Sequence, residues 1–414
     1  MKFPWSRKSR NPKQAPGPAP AKPPAILQIV PSLNAGGAER TTADIAEALI
    51  EHGVRALVIT AGGRLQGEIA SYGGEVINMD VATKLPHRIV SNASAIADII
   101  RDENVVLVHA RSRAPAWSAR MAAQRTGIPL VTTYHGIYNA RLPFKRWYNS
   151  IMARGDAVIA NSEWTARHIL ATYRFKPKHL TIIPRGIDLR VFSPEAVEPA
   201  RVAAMRKWWL AKPSDRIVLL PGRLTRWKGQ LVFLQALGRL KAESRLADVR
   251  AVIAGDAQGR EAYVREIMNA IEDAGLSDIV TVATHLTDMP AAYLAADIVV
   301  SASTDPEAFG RVAPEASAMG RAVIATDHGG ARETVRHGET GLLVKPGSDR
   351  ALAEALDDLL SRSPAERAHM GANGRAFIAA NFTLDRMCDD TLALYSTLIE
   401  ERTARGAGHT GRGP

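Results

Sequence analysis

The sequence predicts an α/β protein made of two doubly wound domains. Three observations lead there. Short apolar runs of strand length alternate with amphipathic stretches of helix length. That rhythm breaks once, around Pro184, Pro194 and Pro199, and then restarts. The 414 residues suffice for about two to three domains by the length prior. Hydrophobic content of 46% and charged content of 23% are those of an ordinary globular chain with a large core.

Residues 1–24 come first. They carry Lys2, Arg7, Lys8, Arg10 and Lys13, followed by Pro12, Pro16, Pro18 and Pro20 where a signal peptide would have its apolar core. The composition is that of a disordered, basic, proline-rich tail. Two uses fit it: a solvated leader, or a tether to an anionic membrane surface.

The first domain is expected over 25–195. "AILQIV" reads as a strand, "PSLNAGGAER" as a glycine loop and "TTADIAEALIEHG" as a helix ended by glycine. "RALVIT", "VVLVHA", "PLVTTYH" and "AVIAN" repeat the strand, with helical segments after most of them. The second domain is expected over 196–382. Its strands are "RIVLLPGRL", "VRAVIAGD", "IVTVAT", "IVVSAS", "AVIATD" and "GLLVKP". Strands alternating with helices imply parallel sheets covered on both faces. Two such domains leave a cleft at the carboxyl ends of their strands, where ligands bind in this class. Residues 383–402 read as a long amphipathic helix and 403–414 as a second tail.

The formal net charge of +11 suggests an anionic partner: nucleic acid, a membrane surface or a phosphorylated substrate. A generally basic background is the bland alternative. No basic stripe with interleaved aromatics is visible, which argues against nucleic acid. The single cysteine, Cys388, excludes an internal disulfide and cysteine-clustered metal sites and fits a reducing compartment. No run of ~18 apolar residues reads as a membrane span.

The chemistry concentrates in "TDPEAFGRVAPEASAMG", from Thr304 to Gly320. Glu307 and Glu315 flank Phe309-Gly310-Arg311 where the strand "DIVVSAS" feeds a helix. The first N–H groups of a helix lack partners and its dipole favours anions. Gly310, with no Cβ, permits close backbone approach. Phosphate on the N–H groups and sugar hydroxyls on the carboxylates would reconcile the two features, as in a nucleotide sugar. The bland reading is an exposed loop glutamate and a glutamate placed by the dipole.

The segment "PEAFGRVAPEASAMG" resembles the E-x7-E motif of retaining glycosyltransferases of family 4, and the likeness extends over about residues 25 to 400. It implies the GT-B fold: two doubly wound Rossmann-like domains facing across a cleft, the first on the acceptor side and the second binding the nucleotide sugar. It implies Glu307 at the transferred sugar, Glu315 at the ribose, and Phe309, Gly310 and Arg311 on sugar hydroxyls and diphosphate. "EAFGRV" is similar to a bacterial subgroup tied to lipopolysaccharide core synthesis. Two departures stand out: Arg311 replaces an apolar residue, and Pro314, which the first helical turn alone tolerates, precedes Glu315.

Other motifs support this. Arg223 and Lys228 in "PGRLTRWKG" follow the second domain's first strand, where two cations suit a diphosphate leaving group. The resemblance gives them that role, and leaves Arg226 and Trp227 open. Gly36 and Gly37 in "LNAGGAER" either let the backbone approach donor phosphates or make a tight turn. His135 in "TTYHG" either bonds a sugar hydroxyl or the leaving-group side, or is a satisfied core histidine. His109 in "VHARSR" has the same strand-end setting. Arg111 and Arg113 either bind an anionic acceptor or are solvated charge. Gly329, Gly330 and Glu333 in "TDHGGARETV" read as structural.

The expected activity is transfer of a hexose from a GDP- or UDP-sugar to the hydroxyl of a lipid-linked or glycan acceptor, with no cofactor. The absence of a D-x-D pair at a strand end predicts no essential metal. Base contacts are expected near His285 and Leu286. The expected location is cytoplasmic, with peripheral attachment to the inner membrane face left open. Two rivals remain: a nucleotide-sugar epimerase on the same fold, and an anionic-ligand or nucleic-acid-binding protein without catalysis.

Overall fold

The structure, a computed structural model, describes residues 22–34, 36–138, 142–173, 175, 177–284 and 286–410, the last five by backbone alone. Most of the expected tail 1–24, and His285, lie outside the described residues.

The chain divides into two compact units. The first holds the described residues up to Pro184 together with those from Arg386; the second is Arg185–Asp385. Its outer limits therefore differ from the expected 196–382. The reason is local. Ile187 donates to the Phe382 carbonyl at 2.8 Å, and Leu384 donates to the Ile187 carbonyl at 3.0 Å. Phe192 joins the same apolar cluster as Tyr293 and Phe309. The segment after Pro184 is thus fastened into the second unit.

The first unit is built on strands β1 (Ala25–Ile29), β2 (Arg55–Thr60), β3 (Glu75–Asn78), β4 (Val105–Ala110), β5 (Leu130–Tyr134), β6 (Ala157–Ala160) and β7 (His179–Ile182). All pair in parallel, in the order β3-β2-β1-β4-β5-β6-β7. The second unit has β8 (Arg216–Pro221), β9 (Val249–Ala254), β10 (Val280–Ala283), β11 (Ile298–Ser301), β12 (Ala322–Thr326) and β13 (Leu342–Val344), parallel in the order β10-β9-β8-β11-β12-β13. Along β8, Val218 and Leu220 face one apolar cluster and Ile217 and Leu219 face the other. Strands buried on both faces by crossover helices read as continuous apolar runs, which is why these were visible in the sequence.

In each sheet the strand order reverses once, between β1 and β4 and between β8 and β11. Crevices open at the carboxyl ends of such strand pairs.

Three differences from the sequence reading have physical causes. Strands β3 and β7 were not expected. Both lie at sheet edges, and neither contains a fully buried residue, so no apolar run announces them. The short helix Pro143–Asn149 was not expected either. The last helix runs from Leu384 to Thr410, past the tail expected at 403. Thr403 bonds the Ile399 carbonyl at 2.9 Å and Arg405 pairs with Glu401 one turn back at 3.1 Å, and both extend the helix.

Candidate active site

The loops after β8 and β11 are locked together by their backbones. After β8 the chain makes one tight turn, Arg226–Lys228, that ends at Gly229 with φ +77°. A Cβ on Gly229 would collide with the carbonyl oxygen of Ala302, just past β11. The Thr304 N–H donates to the Trp227 carbonyl at 2.7 Å. Lys228 therefore leans over the loop that carries Glu307.

Glu307 collects the cations. Lys228 Nζ lies 2.7 Å from its Oε1, and Ser303 Oγ donates to the same oxygen at 2.5 Å. The two charged side chains keep only 12% and 17% of their surface exposed. Burial by itself would raise the Glu307 carboxyl. The Lys228 ion pair, the Ser303 bond and the Arg223 charge outweigh it and hold the carboxyl below its ordinary value. Lys228 also sits 4.6 Å from the Trp227 ring centre and Arg223 5.9 Å from it.

Gly330 holds this loop from below. Its N–H donates to the Glu307 carbonyl at 2.9 Å. A Cβ on Gly330 would meet the Phe309 carbonyl oxygen at 2.5 Å, so only a glycine allows the approach. Phe309 itself is buried, with its ring 5.9 Å from that of Phe382.

Glu315 lies one turn into the helix Val312–Ala318 and is 7% exposed. Arg311 Nε donates to Oε1 at 2.7 Å and the Tyr293 hydroxyl donates to Oε2 at 2.9 Å. Burial and then the Glu315 charge push the Tyr293 hydroxyl well above its ordinary value, so it stays a donor. Pro314 is the third residue of the helix, where the missing N–H had no intrahelical partner.

The structure thus brings Arg223, Lys228, Glu307, Phe309, Gly310, Arg311 and Glu315 to one strand pair. Arg226 turns away to Glu266, at 2.5 Å. Three residues passed over in the sequence join the group. Ser303 and Tyr293 each bond one glutamate. His328 donates from Nε2 to the Ser303 carbonyl at 2.9 Å, and burial lowers its pKa. The only sequence signal for His328 was its place after "AVIATD"; Tyr293 and Ser303 gave none.

In the first unit the candidates gather at the ends of β1, β4 and β5. Gly36 precedes the helix Gly37–Glu51, and the Glu39 carboxylate of the first turn folds back against it. A carboxylate, not an open phosphate cradle, faces that glycine. His135 directly follows β5 and is half-buried. His109 does not share that setting. It is fully buried in β4, with Nδ1 2.5 Å from the Tyr395 hydroxyl and Nε2 2.7 Å from Thr133 Oγ1. Burial first, then the Arg111 and His135 charges, push its pKa well below the ordinary value.

Arg111 is not solvated: it is 2% exposed, and its Nε and Nη2 donate to Gln28 Oε1 at 2.8 and 2.5 Å. Arg113 donates to Asn149 Oδ1 at 2.9 Å and lies 4.3 Å over the Tyr138 ring. Among the described residues neither arginine has an ion-pair partner.

Comparison with known proteins covers both units. Residues 35–191 match the family model for Glycosyltransferase Family 4, and 203–377 match that for glycosyl transferases group 1. The chain is 32% identical over 316 residues to a D-inositol 3-phosphate glycosyltransferase of Stackebrandtia nassauensis, covering 72% of this chain and 69% of that protein. It is similar to the crystal structure of a glycosyltransferase from Rickettsia africae, with TM-score 0.82, 34% identity and coverage of 91% and 99%. It shares its fold with Anabaena HepE, solved with UDP and glucose, at TM-score 0.79, 24% identity and coverage of 90% and 99%. The two Rossmann-like sheets, the two family matches and the full-length likeness agree, and the chain belongs to the GT-B glycosyltransferases.

Proposed function

We propose that this chain is a retaining hexosyltransferase that uses a nucleoside diphosphate sugar. The observation that carries the proposal is the pair of largely buried carboxylates, each ion-paired with one cation. Glu315 would accept the two ribose hydroxyls, with Arg311 and Tyr293 fixing its oxygens. Glu307 would face the transferred sugar. Lys228 and Arg223 would stabilise charge on the departing diphosphate.

In a front-face reaction the bond from the anomeric carbon to the diphosphate oxygen breaks. The acceptor oxygen bonds the same face of that carbon, and its proton passes to the leaving diphosphate. His135 would orient a sugar hydroxyl. Gly36 and Gly37 could approach the donor only if Glu39 swung aside. An anionic acceptor is favoured by the uncompensated Arg113 and by relatives named for inositol 3-phosphate. Arg111 would act on such an acceptor by its field, since it is packed inside. The narrower expectation of a lipopolysaccharide core acceptor rests on the "EAFGRV" resemblance.

Thermal melting with UDP, GDP, ADP and CMP tests the donor site. A ligand at ~100 times its Kd adds roughly 2.7 kcal/mol. One nucleoside diphosphate should raise the melting point and Glu315→Ala should abolish the rise. An unchanged rise in the variant would sink the ribose assignment. A product formed from donor alone would favour the epimerase.

A further inference from the structure

We propose that a cavity at the amino ends of β5 and β6 is an accessory binding site for a small soluble phosphate monoester with an apolar body. It lies at the opposite end of the sheet from His135, and the proposal does not rest on the donor chemistry.

The cavity has a volume of about 580 Å³, within the range of small-molecule sites, and all its walls belong to the first unit. The helix Arg113–Thr126 stops at Gly127, with φ +67°, and Ile128 and Pro129 lead from there into β5. Asp156, just before β6, accepts the Leu130 N–H at 2.9 Å and fastens the two strand starts together. The helix Leu384–Thr410 supplies another wall with Leu398 and Arg402. The five residues of β5 place this cavity roughly 16 Å from the strand end that carries His135.

Five basic side chains and two carboxylates line the cavity. The carboxylates are engaged: Asp156 holds the Leu130 N–H, and Glu401 pairs with Lys178 at 3.4 Å and Arg405 at 3.1 Å. Arg120, Arg154 and Arg402 remain, and among the described residues none of them has an ion-pair partner. Arg120 Nη1 donates to the Arg154 carbonyl at 2.9 Å, which sets the two residues side by side. Arg154 Nε donates to Ser150 Oγ at 2.9 Å, and its guanidinium lies 4.9 Å over the Phe175 ring. Arg402 Nη2 reaches the Thr126 carbonyl at 3.5 Å. Burial, then the Arg154 charge, lower the Arg120 guanidinium from its ordinary value.

Cations that repel one another and bond neutral groups favour a dianion over a single carboxylate. Guanidinium groups match phosphate oxygens in geometry as well as charge. Ile128, Leu130 and Leu398 give the cavity an apolar floor. A phosphate monoester with an apolar body meets both features.

Titration calorimetry of the full chain with phenyl phosphate tests this. Binding should saturate, and should be about tenfold tighter than that of benzoate, which has the ring but one charge. It should also be several-fold tighter than that of inorganic phosphate, which lacks the ring. Arg120→Gln and Arg402→Gln should each weaken it about tenfold. Arg402 is exposed, so its variant should keep the wild-type melting point. Binding should persist in Lys228→Ala, which separates this cavity from the donor site. Added phenyl phosphate should slow hydrogen exchange over 120–130 and 396–405. Absence of saturable binding would overturn the proposal. So would unchanged affinity in both arginine variants, loss of binding in Lys228→Ala, or benzoate binding as tightly as phenyl phosphate.

Discussion

The carboxyl ends of β8 and β11 and those of β1 and β4 occupy the same topological position in their sheets, yet their electrostatics are opposite. In the second unit the acids come with bases: Lys228 on Glu307, Arg311 on Glu315. In the first unit, among the described residues, the Arg111 and Arg113 side chains bond Gln28 and Asn149, Arg113 covers the Tyr138 ring, and neither has an ion-pair partner. A cation that bonds neutral groups keeps its field, and an entering anion can use it. A cation already paired must be shared with what enters. The first arrangement suits an anionic acceptor; the second suits a ligand carrying both phosphate charge and hydroxyls.

The largest effect expected from breaking this contrast is at Lys228. Lys228→Ala removes the cation proposed for the leaving group and leaves Glu307 buried without its partner. Turnover should fall by about 10²–10³-fold, the usual result of losing one charge-stabilising donor. Steady-state kcat for sugar transfer checks this, and a drop of a few fold would remove Lys228 from the chemistry. Glu315→Ala should come next, weakening nucleoside diphosphate affinity about 10–100-fold, as loss of hydrogen bonds to a charged group does. Titration calorimetry measures it.

Acid should separate the units. His109 is neutral and its pKa is depressed, so in the unfolded chain it takes up a proton near its ordinary 6.5 while the folded one does not. Its stabilising share is complete above 6.5 and is lost as pH falls below that value, at up to about 1.4 kcal/mol per pH unit. Glu307 is also depressed, but from an ordinary 4.5, so its share persists until pH falls below 4.5. Melting followed between pH 7.5 and 5 should show a loss that His109→Gln flattens and Glu307→Gln does not. Equal slopes in all three proteins would refute the assignment to His109. The smallest effect is Arg113→Ala, which should raise the KM for an anionic acceptor about three- to tenfold and leave nucleotide binding unchanged.

The sequence showed all nine interior strands and half of the four edge strands. The interior ones are runs such as "VVLVHA" that two covered faces force to be apolar, and the edge strands β10 and β13 of the second sheet keep enough apolar residues to be read as well. β3, "EVIN", and β7, "HLTI", sit at the margins of one sheet and carry no such run. The glutamates stood out because their spacing around Gly310 is a property of the chain itself. Tyr293 did not, because its role arises from a contact 22 residues away that no local pattern encodes; Ser303, only four residues before Glu307, is an ordinary strand-end serine until its hydroxyl is seen on the carboxylate. His109 and His135 look alike on paper, each at a strand end before a loop. Tyr395, 286 residues downstream, distinguishes them.

That last distance has a consequence for synthesis. Arg185–Asp385 is one uninterrupted stretch, whereas the first unit is split and receives its final helix only after the second has been made. Domains ordinarily fold in order as they leave the ribosome. Here the earlier-made one waits, with His109 lacking Tyr395, while the later-made one has every residue it needs. A ribosome-bound chain from which Asp385 has emerged and Tyr395 has not should therefore carry a protease-resistant second unit and a first unit still open to cleavage.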